Sequence, residues 1–147
     1  MIDLLNLIPM CQVLDFYQVN FGETILLLRE GLLAAKGLQE IKISQSNLGD
    51  EGALALAKLF SSNEKSQVQT LSLIHCGIGD KGLVALLSNY TGCSLTYQSG
   101  NFTETSASIF SSFLQEKSHH LKYLSLANVK LGPVLSKIFE IFLRIIL

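Results

Sequence analysis

The sequence predicts an α/β solenoid, in which about five strand–helix repeats stack so that their strands form one parallel sheet on the concave side and their helices lie on the convex side. The first observation is a strand-like pattern, with apolar residues at places 1, 4 and 6, that starts near residues 11, 38, 68, 92 and 121. The second is a Gly-Asp-x-Gly turn that recurs in register at 49–52 and 79–82. The third is an apolar run at helical spacing after the turns. One such unit is too small to bury its own apolar face, so it needs neighbouring copies.

The N-terminal part is predicted to form a cap and the first repeat. Residues 1–10 precede this repeat and are expected to cover its strand, Gln12–Phe16. The helix is predicted at Glu23–Leu33, because Lys36 followed by Gly37 is a typical helix stop. With the repeats that follow, these segments are expected to make a single domain, residues 1–147.

Repeats two and three show the pattern most clearly. The apolar residues of repeat two alternate as in a strand at Gln39–Ile43, and Asp50 is placed to cap the first turn of a helix at Glu51–Phe60. Repeat three shows the same order from Val68 onward, with a strand at Gln69–Leu73 and a helix at Lys81–Asn89.

Repeats four and five are less regular. Repeat four has Gly92 where an apolar residue should start it, then a strand at Ser94–Tyr97 and a helix at Glu104–Gln115. Repeat five has a strand at Lys122–Leu126, and the chain ends in a helix predicted over Val134–Leu147. Because strand–helix–strand connections are right-handed, the five strands are expected to lie side by side and parallel.

The repeat resembles the leucine-rich repeat, whose pattern is L-x-x-L-x-L-x-x-N/C-x-L. The long period, the Gly-Asp-x-Gly turn and a full helix in each repeat resemble the ribonuclease-inhibitor type in particular. The ninth place departs from this pattern, since only Cys76 there is a standard residue. The other ninth-place residues are Val19, Ser46, Gly100 and Val129. We therefore expect the side chains that satisfy the turn backbone to be mostly absent.

Composition excludes several classes of protein. Hydrophobic residues make up 48% of the chain and charged residues 16%, and the net charge is −1, with no basic face that would suit nucleic acid. Three cysteines without framework spacing suit a reducing, cytoplasmic compartment. The first ten residues contain Asp3 and no basic residue, so they make a poor secretory signal. No stretch reaches the roughly 18 uncharged apolar residues of a membrane span.

Catalytic and metal-binding motifs are missing from the sequence. There is no phosphate-binding glycine loop, no H-E-x-x-H and no C-x-x-C. His75 and Cys76 are neighbours on a strand, so they point to opposite faces and cannot act as a base and nucleophile. The pair His119 and His120 is expected to be a solvated loop. We expect a protein that is not an enzyme and that needs no cofactor or metal.

The outward positions of the predicted strands define a concave face. Of 25 such positions, four carry a charge, namely Asp15, Glu40, Lys42 and Lys122. Low charge combined with aromatic side chains is typical of protein-binding surfaces, although any exposed sheet must be covered by polar residues. The residues predicted to bind a protein partner are Tyr17, Gln18, Lys42, Gln45, Ile74, His75, Gln98, Tyr123 and Asn128.

The resemblance implies a non-enzymatic interaction module that inhibits or regulates a partner enzyme by covering its active site. Similar proteins also include small effectors that intracellular bacteria deliver into host cells. One alternative is a GTPase activator, which would need an exposed arginine near the partner's nucleotide, whereas Arg29 and Arg144 fall in predicted helices. Another is that the repeats are the sensing end of a larger receptor.

The predicted C-terminal helix is apolar around most of its circumference. Lys137, Glu140 and Arg144 lie along one narrow stripe, and nearly all other residues are apolar. A terminal repeat normally turns a polar face to solvent. This helix is therefore expected to contact another chain, and self-association is one form of that contact. The alternative is a lid across the open end of the solenoid.

Overall fold

A computed structural model describes residues 10–61, 67–99, 103–117 and 119–128, together with residue 140. The predicted N-terminal cap, apart from Met10, and the predicted C-terminal helix, apart from Glu140, lie outside these residues, as do Gly100 and Val129 at the ninth place.

Five parallel strands in sequential order form one open sheet, which confirms the predicted fold class. The strands are β1 (Val13–Tyr17), β2 (Glu40–Ser44), β3 (Thr70–Ile74), β4 (Ser94–Gln98) and β5 (Tyr123–Ala127). Residues at the same place of each repeat pair with one another, as Leu14, Ile41, Leu71, Leu95 and Leu124 do. Each strand ends one residue later than predicted, and all except β4 also begin one residue later.

The later start follows from a repeated backbone contact. The carbonyl oxygen of Gln12 accepts hydrogen bonds from the N–H groups of Gln39 (2.8 Å) and Glu40 (3.0 Å). The carbonyl oxygens of Gln39, Gln69 and Cys93 do the same for the next repeat. Because one carbonyl serves two donors there, regular pairing begins at the third place of the repeat rather than at the second.

Between residues 10 and 128, the described ranges contain four helices that alternate with the strands. They are α1 (Ile25–Ala34), preceded by a short 3-10 turn (Gly22–Thr24), α2 (Gly49–Ser61), α3 (Asp80–Asn89) and α4 (Glu104–Lys117). Each helix packs against the next one, most extensively α2 against α3. Among the helices within the described ranges, none combines the length and the apolar character that a membrane-spanning helix needs.

The core lies between the sheet and the helices. Strand residues at places 4 and 6 of the middle repeats are buried, and they pack with helix residues such as Leu56, Leu83 and Phe110. Each such side chain contributes roughly 1.5–3 kcal/mol by leaving water. On the edge strands, the corresponding residues, such as Leu14 and Leu126, are only partly buried. The middle repeats therefore hold the stack together.

Repeat four is irregular because Tyr90 occupies the space of its first apolar residue. Tyr90 is 1% exposed, packs its ring on Phe60 (5.2 Å between centroids), and donates its hydroxyl proton toward the carbonyl oxygen of Gln69 at 3.0 Å. A Cβ atom at Gly92 would overlap the Tyr90 hydroxyl group. The tyrosine thus supplies the apolar volume that an aliphatic residue supplies in the other repeats.

Side chains at the ninth place bridge neighbouring repeats. The Ser46 hydroxyl accepts a hydrogen bond from the N–H of Val19 (3.0 Å) and donates one to the carbonyl oxygen of Ser44 (2.8 Å). The Cys76 thiol donates to the carbonyl oxygen of Ile43 in the preceding repeat (3.1 Å). The expectation that turn-satisfying side chains are mostly absent is wrong for Ser46, because a hydroxyl serves as both donor and acceptor.

The aspartate of the Gly-Asp-x-Gly turn caps the helix of the next repeat. Asp50 Oδ1 accepts hydrogen bonds from the backbone N–H groups of Gly79 (2.8 Å) and Gly82 (3.0 Å), at the start of α3. The prediction that Asp50 caps its own helix is therefore wrong. A Cβ atom at Gly82 would lie 2.5 Å from Asp50 Oδ1, so glycine is needed there for close approach.

Asp80 repeats this arrangement one repeat later. Its carboxylate accepts hydrogen bonds from the hydroxyl groups of Thr103 (3.0 Å) and Ser106, at the start of α4. The Thr103 hydroxyl in turn accepts one from the N–H of Ser106 at 3.0 Å. The turns of repeats two and three therefore tie each helix to the next at its N-terminal end, which fixes the loops beside the concave face.

Candidate functional site

The candidate site is the concave face, formed by the outward side chains of β1–β5. Strand pairing aligns these side chains in three rows, at places 3, 5 and 7 of the repeat. The rows are Val13, Glu40, Thr70, Ser94 and Tyr123; then Asp15, Lys42, Ser72, Thr96 and Ser125; then Tyr17, Ser44, Ile74, Gln98 and Ala127. All fifteen are exposed or half-exposed, although the strand residues between them in β2–β4 are buried.

The apolar residues predicted to anchor a partner are spread across this face. Tyr17 is 60% exposed at the end of β1, and Tyr123 is 57% exposed at the start of β5. Four strand spacings and four residues separate them, which puts them on the order of 20 Å apart. Ile74 lies on the central strand and is half-exposed. The three residues therefore mark two corners and one side of the face, not one cluster.

Four of the nine predicted residues form a row at the carboxyl ends of the strands. Gln18, Gln45, His75 and Asn128 occupy the eighth place and have positive φ angles of 54°, 48°, 52° and 54°. Non-glycine residues rarely adopt this left-handed conformation. The N–H groups of the first three donate to carbonyl oxygens of the next strand at 2.8–3.0 Å, which helps to hold the conformation. All four side chains are exposed, and Gln18 Nε2 donates to Gln45 Oε1 at 3.1 Å.

The same row is interrupted in repeat four. Ser99, at the eighth place there, is 8% exposed and is not among the residues with positive φ. Gln98, the predicted binding residue of this repeat, lies instead within β4 and is half-exposed. The sequence contains one signal for the left-handed conformation of this eighth-place row. His75 and Asn128 belong to residue types that are enriched in that conformation. The two glutamines carry no such signal.

Charged side chains within the strands of the concave face lie on β1 and β2, and Lys122 is exposed directly before β5. Lys42 Nζ lies 3.0 Å from Glu40 Oε1, and the hydrogen bond and charge of Glu40 raise the pKa of Lys42. Asp15, on β1, pairs in register with Lys42. Such an exposed ion pair contributes little to stability. The outward strand residues of β3, β4 and β5 are all uncharged.

A pocket of about 420 Å³ opens beside the eighth-place row, between repeats three and four. Sequence reasoning missed it, because it forms from turns that belong to different repeats. Of the nine predicted residues, His75 borders it. Its described lining is His75, Gly77, Ile78, Gly79, Asp80, Ser99 and Thr103. The pocket is a recess next to the sheet.

The described part of the chain gives little evidence of a reactive nucleophile or of a metal site. Cys76 is 4% exposed, and burial raises the pKa of its thiol to about 11, so the reactive thiolate is disfavoured at neutral pH. The rings of His119 and His120 lie 4.1 Å apart in an exposed turn. Within the described ranges, no three histidine, cysteine or acidic side chains are grouped so that they could hold a metal ion.

Comparison with known proteins gives one family. A model of the leucine-rich repeat matches residues 38–57 and 67–87, which are repeats two and three with their strands β2 and β3. A search of curated proteins gave no match. Residues 38–57 and 67–87 are thus similar to leucine-rich repeats, and they lie within a stack of five parallel strands that alternate with helices, which has the fold of a short α/β solenoid.

Proposed function

We propose that the protein is a non-enzymatic interaction module that binds a partner protein through its concave face and the adjoining turns. Leucine-rich repeats indicate a protein–protein interaction module, and the family is generally not enzymatic. The observation that carries the proposal is the concave face itself. All fifteen of its strand side chains remain accessible, only three of them are charged, and two are tyrosines that are more than half exposed.

The size of the face supports a role for the turns beside it. Five strands of five residues cover about 20 Å by 16 Å, or on the order of 300 Å². A typical stable interface buries about 800 Å² on each partner. The concave face is therefore too small alone, and the eighth-place row with the neighbouring pocket extends it. Gln18, Gln45, His75 and Asn128 belong to this extension.

We further propose that the partner is an enzyme whose active site is covered, and that the complex forms in the cytoplasm. The helix in each of repeats one to four, which are described, supports the likeness to the ribonuclease-inhibitor type. The three free cysteines support a reducing compartment. If this is right, a stoichiometric amount of the protein slows turnover of the captured partner.

A triple variant of the anchors tests the proposal. Tyr17→Ala, Ile74→Ser and Tyr123→Ala remove the large apolar side chains of the face, and such anchors often contribute about 2 kcal/mol each to binding. A partner is captured from a lysate of the source cells with the wild-type protein and then titrated calorimetrically. We expect the dissociation constant to rise about 100-fold or more in the triple variant.

The matched control removes similar apolar groups from the convex side. Leu27, Leu33 and Val84 are exposed on α1 and α3, and their combined change to alanine should leave affinity unchanged. Circular dichroism verifies that both variants are folded. Equal affinity of the wild-type protein and a folded concave variant contradicts the proposal, because the interface would then lie elsewhere.

A further inference from the structure

Five hydroxyl side chains lie together on β3, β4 and β5, whose outward strand residues carry no charge. We call Thr70, Ser72, Ser94, Thr96 and Ser125 the hydroxyl patch. Thr70 pairs in register with Ser94, and Thr96 lies between Ser72 and Ser125. Neighbouring strands are about 4.8 Å apart. The five hydroxyl groups therefore form one continuous surface over β3, β4 and β5.

These hydroxyl groups make no hydrogen bond within the described part of the chain, although all five side chains are half-exposed. Some hydroxyls elsewhere are bonded within the chain, as in Ser46, Ser88, Tyr90 and Thr103. Each free hydroxyl offers one donor and two acceptor positions. The patch can thus make a set of hydrogen bonds to an incoming molecule without breaking any described bond of its own.

Because the five side chains of the hydroxyl patch are uncharged, we expect the patch to favour an uncharged ligand. Covering a charged side chain of the partner with a surface that offers no counter-charge is unfavourable, because the charge loses water without gaining a partner. Hydroxyl groups are cheaper to desolvate, provided that each finds a partner. The charged strand residues of the concave face, Asp15, Glu40 and Lys42, lie on β1 and β2. A segment that contacts β3 and β4 would therefore meet hydrogen-bonding groups and no charged strand residue, since Lys122 lies directly before β5.

The spacing along the strands selects an extended segment. Thr70 and Ser72, and likewise Ser94 and Thr96, are two residues apart on a strand, or about 6.7 Å. In an extended polypeptide, every second side chain lies on the same face, at this same spacing. In an α-helix, side chains two residues apart point in different directions, and the helical pitch is shorter than this spacing. Every second residue of an extended ligand can then reach a hydroxyl. Ile74 and Gln98, next on the same strands, continue the row with an apolar and an amide contact.

We propose that the hydroxyl patch binds an uncharged, extended segment of the partner protein, with serine, threonine, asparagine or glutamine at alternate positions. This assignment rests on the proposed function and names the chemistry of the partner. The segment runs along β3 and β4.

A phage-displayed library of random dodecapeptides is the probe. It is selected on immobilised wild-type protein and on Thr96→Arg, which places a cationic side chain at the centre of the patch. Thr96→Ser keeps the hydroxyl, and Ser88→Arg makes a comparable change on the convex side, where Ser88 is exposed on α3. We expect the selected peptides to contain few charged residues and to have polar residues at alternate positions. Their enrichment should be at least about 10-fold lower on Thr96→Arg than on the wild-type protein, and it should be unchanged on Thr96→Ser and Ser88→Arg.

Several results would overturn the assignment. One is that no peptide depends on Thr96, or that the dependent peptides are charged. Another is that Thr96 supports binding to an array of neutral glycans and to no peptide. Peptides that bind Thr96→Arg normally, yet are lost in the triple variant of Tyr17, Ile74 and Tyr123, would overturn the hydroxyl patch while leaving the concave face as a protein-binding surface.

Discussion

Tyr90 shows at the scale of one residue how an irregular repeat still fills its core. The phenol ring enters from the end of α3 and reaches the start of repeat four, where the other repeats have an apolar side chain. Gly92 leaves room for it. The two positions are therefore coupled, and neither can be interpreted alone.

The coupling gives a double-mutant prediction. Gly92→Ala drives a Cβ atom into the Tyr90 hydroxyl group, and relieving such a clash typically costs about 1–3 kcal/mol. Tyr90→Ala should cost about 3–5 kcal/mol through the lost buried ring. In the double variant the clash is gone, so its cost should be less than the sum of the single costs. Urea unfolding of the four proteins measures this, and strictly additive costs would refute the coupling.

The sequence predicts single-repeat features better than features shared between repeats. Alternation along the strand predicts that Leu71 and Ser72 lie on opposite faces, and they are fully buried and half-exposed respectively. The same alternation placed Tyr17 and Tyr123 on the concave face. By contrast, the Tyr90–Gly92 contact could not be foreseen, because the pattern marks Gly92 only as a missing apolar residue. The contact depends on where a side chain two residues earlier points in three dimensions.

At the scale of the elements, capping passes from one repeat to the next. An aspartate in the first turn of α2 satisfies the free N–H groups at the start of α3, and Asp80 does the corresponding work for α4 through two hydroxyl groups. Sequence alone favoured a local cap, since a cap is usually close in sequence to the helix it serves. The link joins two different repeats, so it becomes visible only when the repeats are stacked.

Removing this link should weaken the junction between α2 and α3. Asp50→Ala deprives the amides of Gly79 and Gly82 of their acceptor, and loss of a capping side chain typically costs about 1 kcal/mol. Urea unfolding gives the loss of stability. Hydrogen exchange gives a more specific result, because the amide protons of Gly79 and Gly82 should exchange faster.

Asp15→Ala provides the control for Asp50→Ala, since Asp15 is an exposed carboxylate on the sheet. Its removal should change stability by less than about 0.5 kcal/mol. Similar stability in the two variants, together with unchanged exchange at Gly79 and Gly82, would show that the cap between the repeats is energetically unimportant.

At the scale of the whole molecule, stability is concentrated in the middle of the stack. The buried strand residues belong to β2, β3 and β4, whereas the corresponding residues of β1 and β5 are partly exposed. The left-handed row and the pocket are turn features that join several repeats. For that reason the sequence names Gln18, Gln45, His75 and Asn128 as candidate binding residues, but it indicates neither the left-handed conformation of the two glutamines nor the pocket beside the row.

Three weakly acidic side chains are buried in this middle region, and because of them the stability of the whole fold should fall as the pH becomes alkaline. Burial raises the pKa of the Cys76 thiol from 9.0 to about 11, and burial also raises the pKa values of Tyr90 and Tyr97 above their usual 10.0. In the unfolded chain these groups lose their protons first. The folded state then binds more protons than the unfolded state, so stability must fall as pH rises.

Unfolding in urea at several values between pH 8 and pH 11 tests this dependence. The thiol contributes stability that is fully present below pH 9 and is lost between pH 9 and about 11, by about 2 kcal/mol. Tyr90 and Tyr97 add to the decline above pH 10. Cys76→Ala lowers stability at pH 8, because it removes a buried side chain, but its stability should then fall less steeply between pH 9 and 10. Equal slopes in the wild-type protein and Cys76→Ala would show that the Cys76 thiol titrates alike in the folded and unfolded chains.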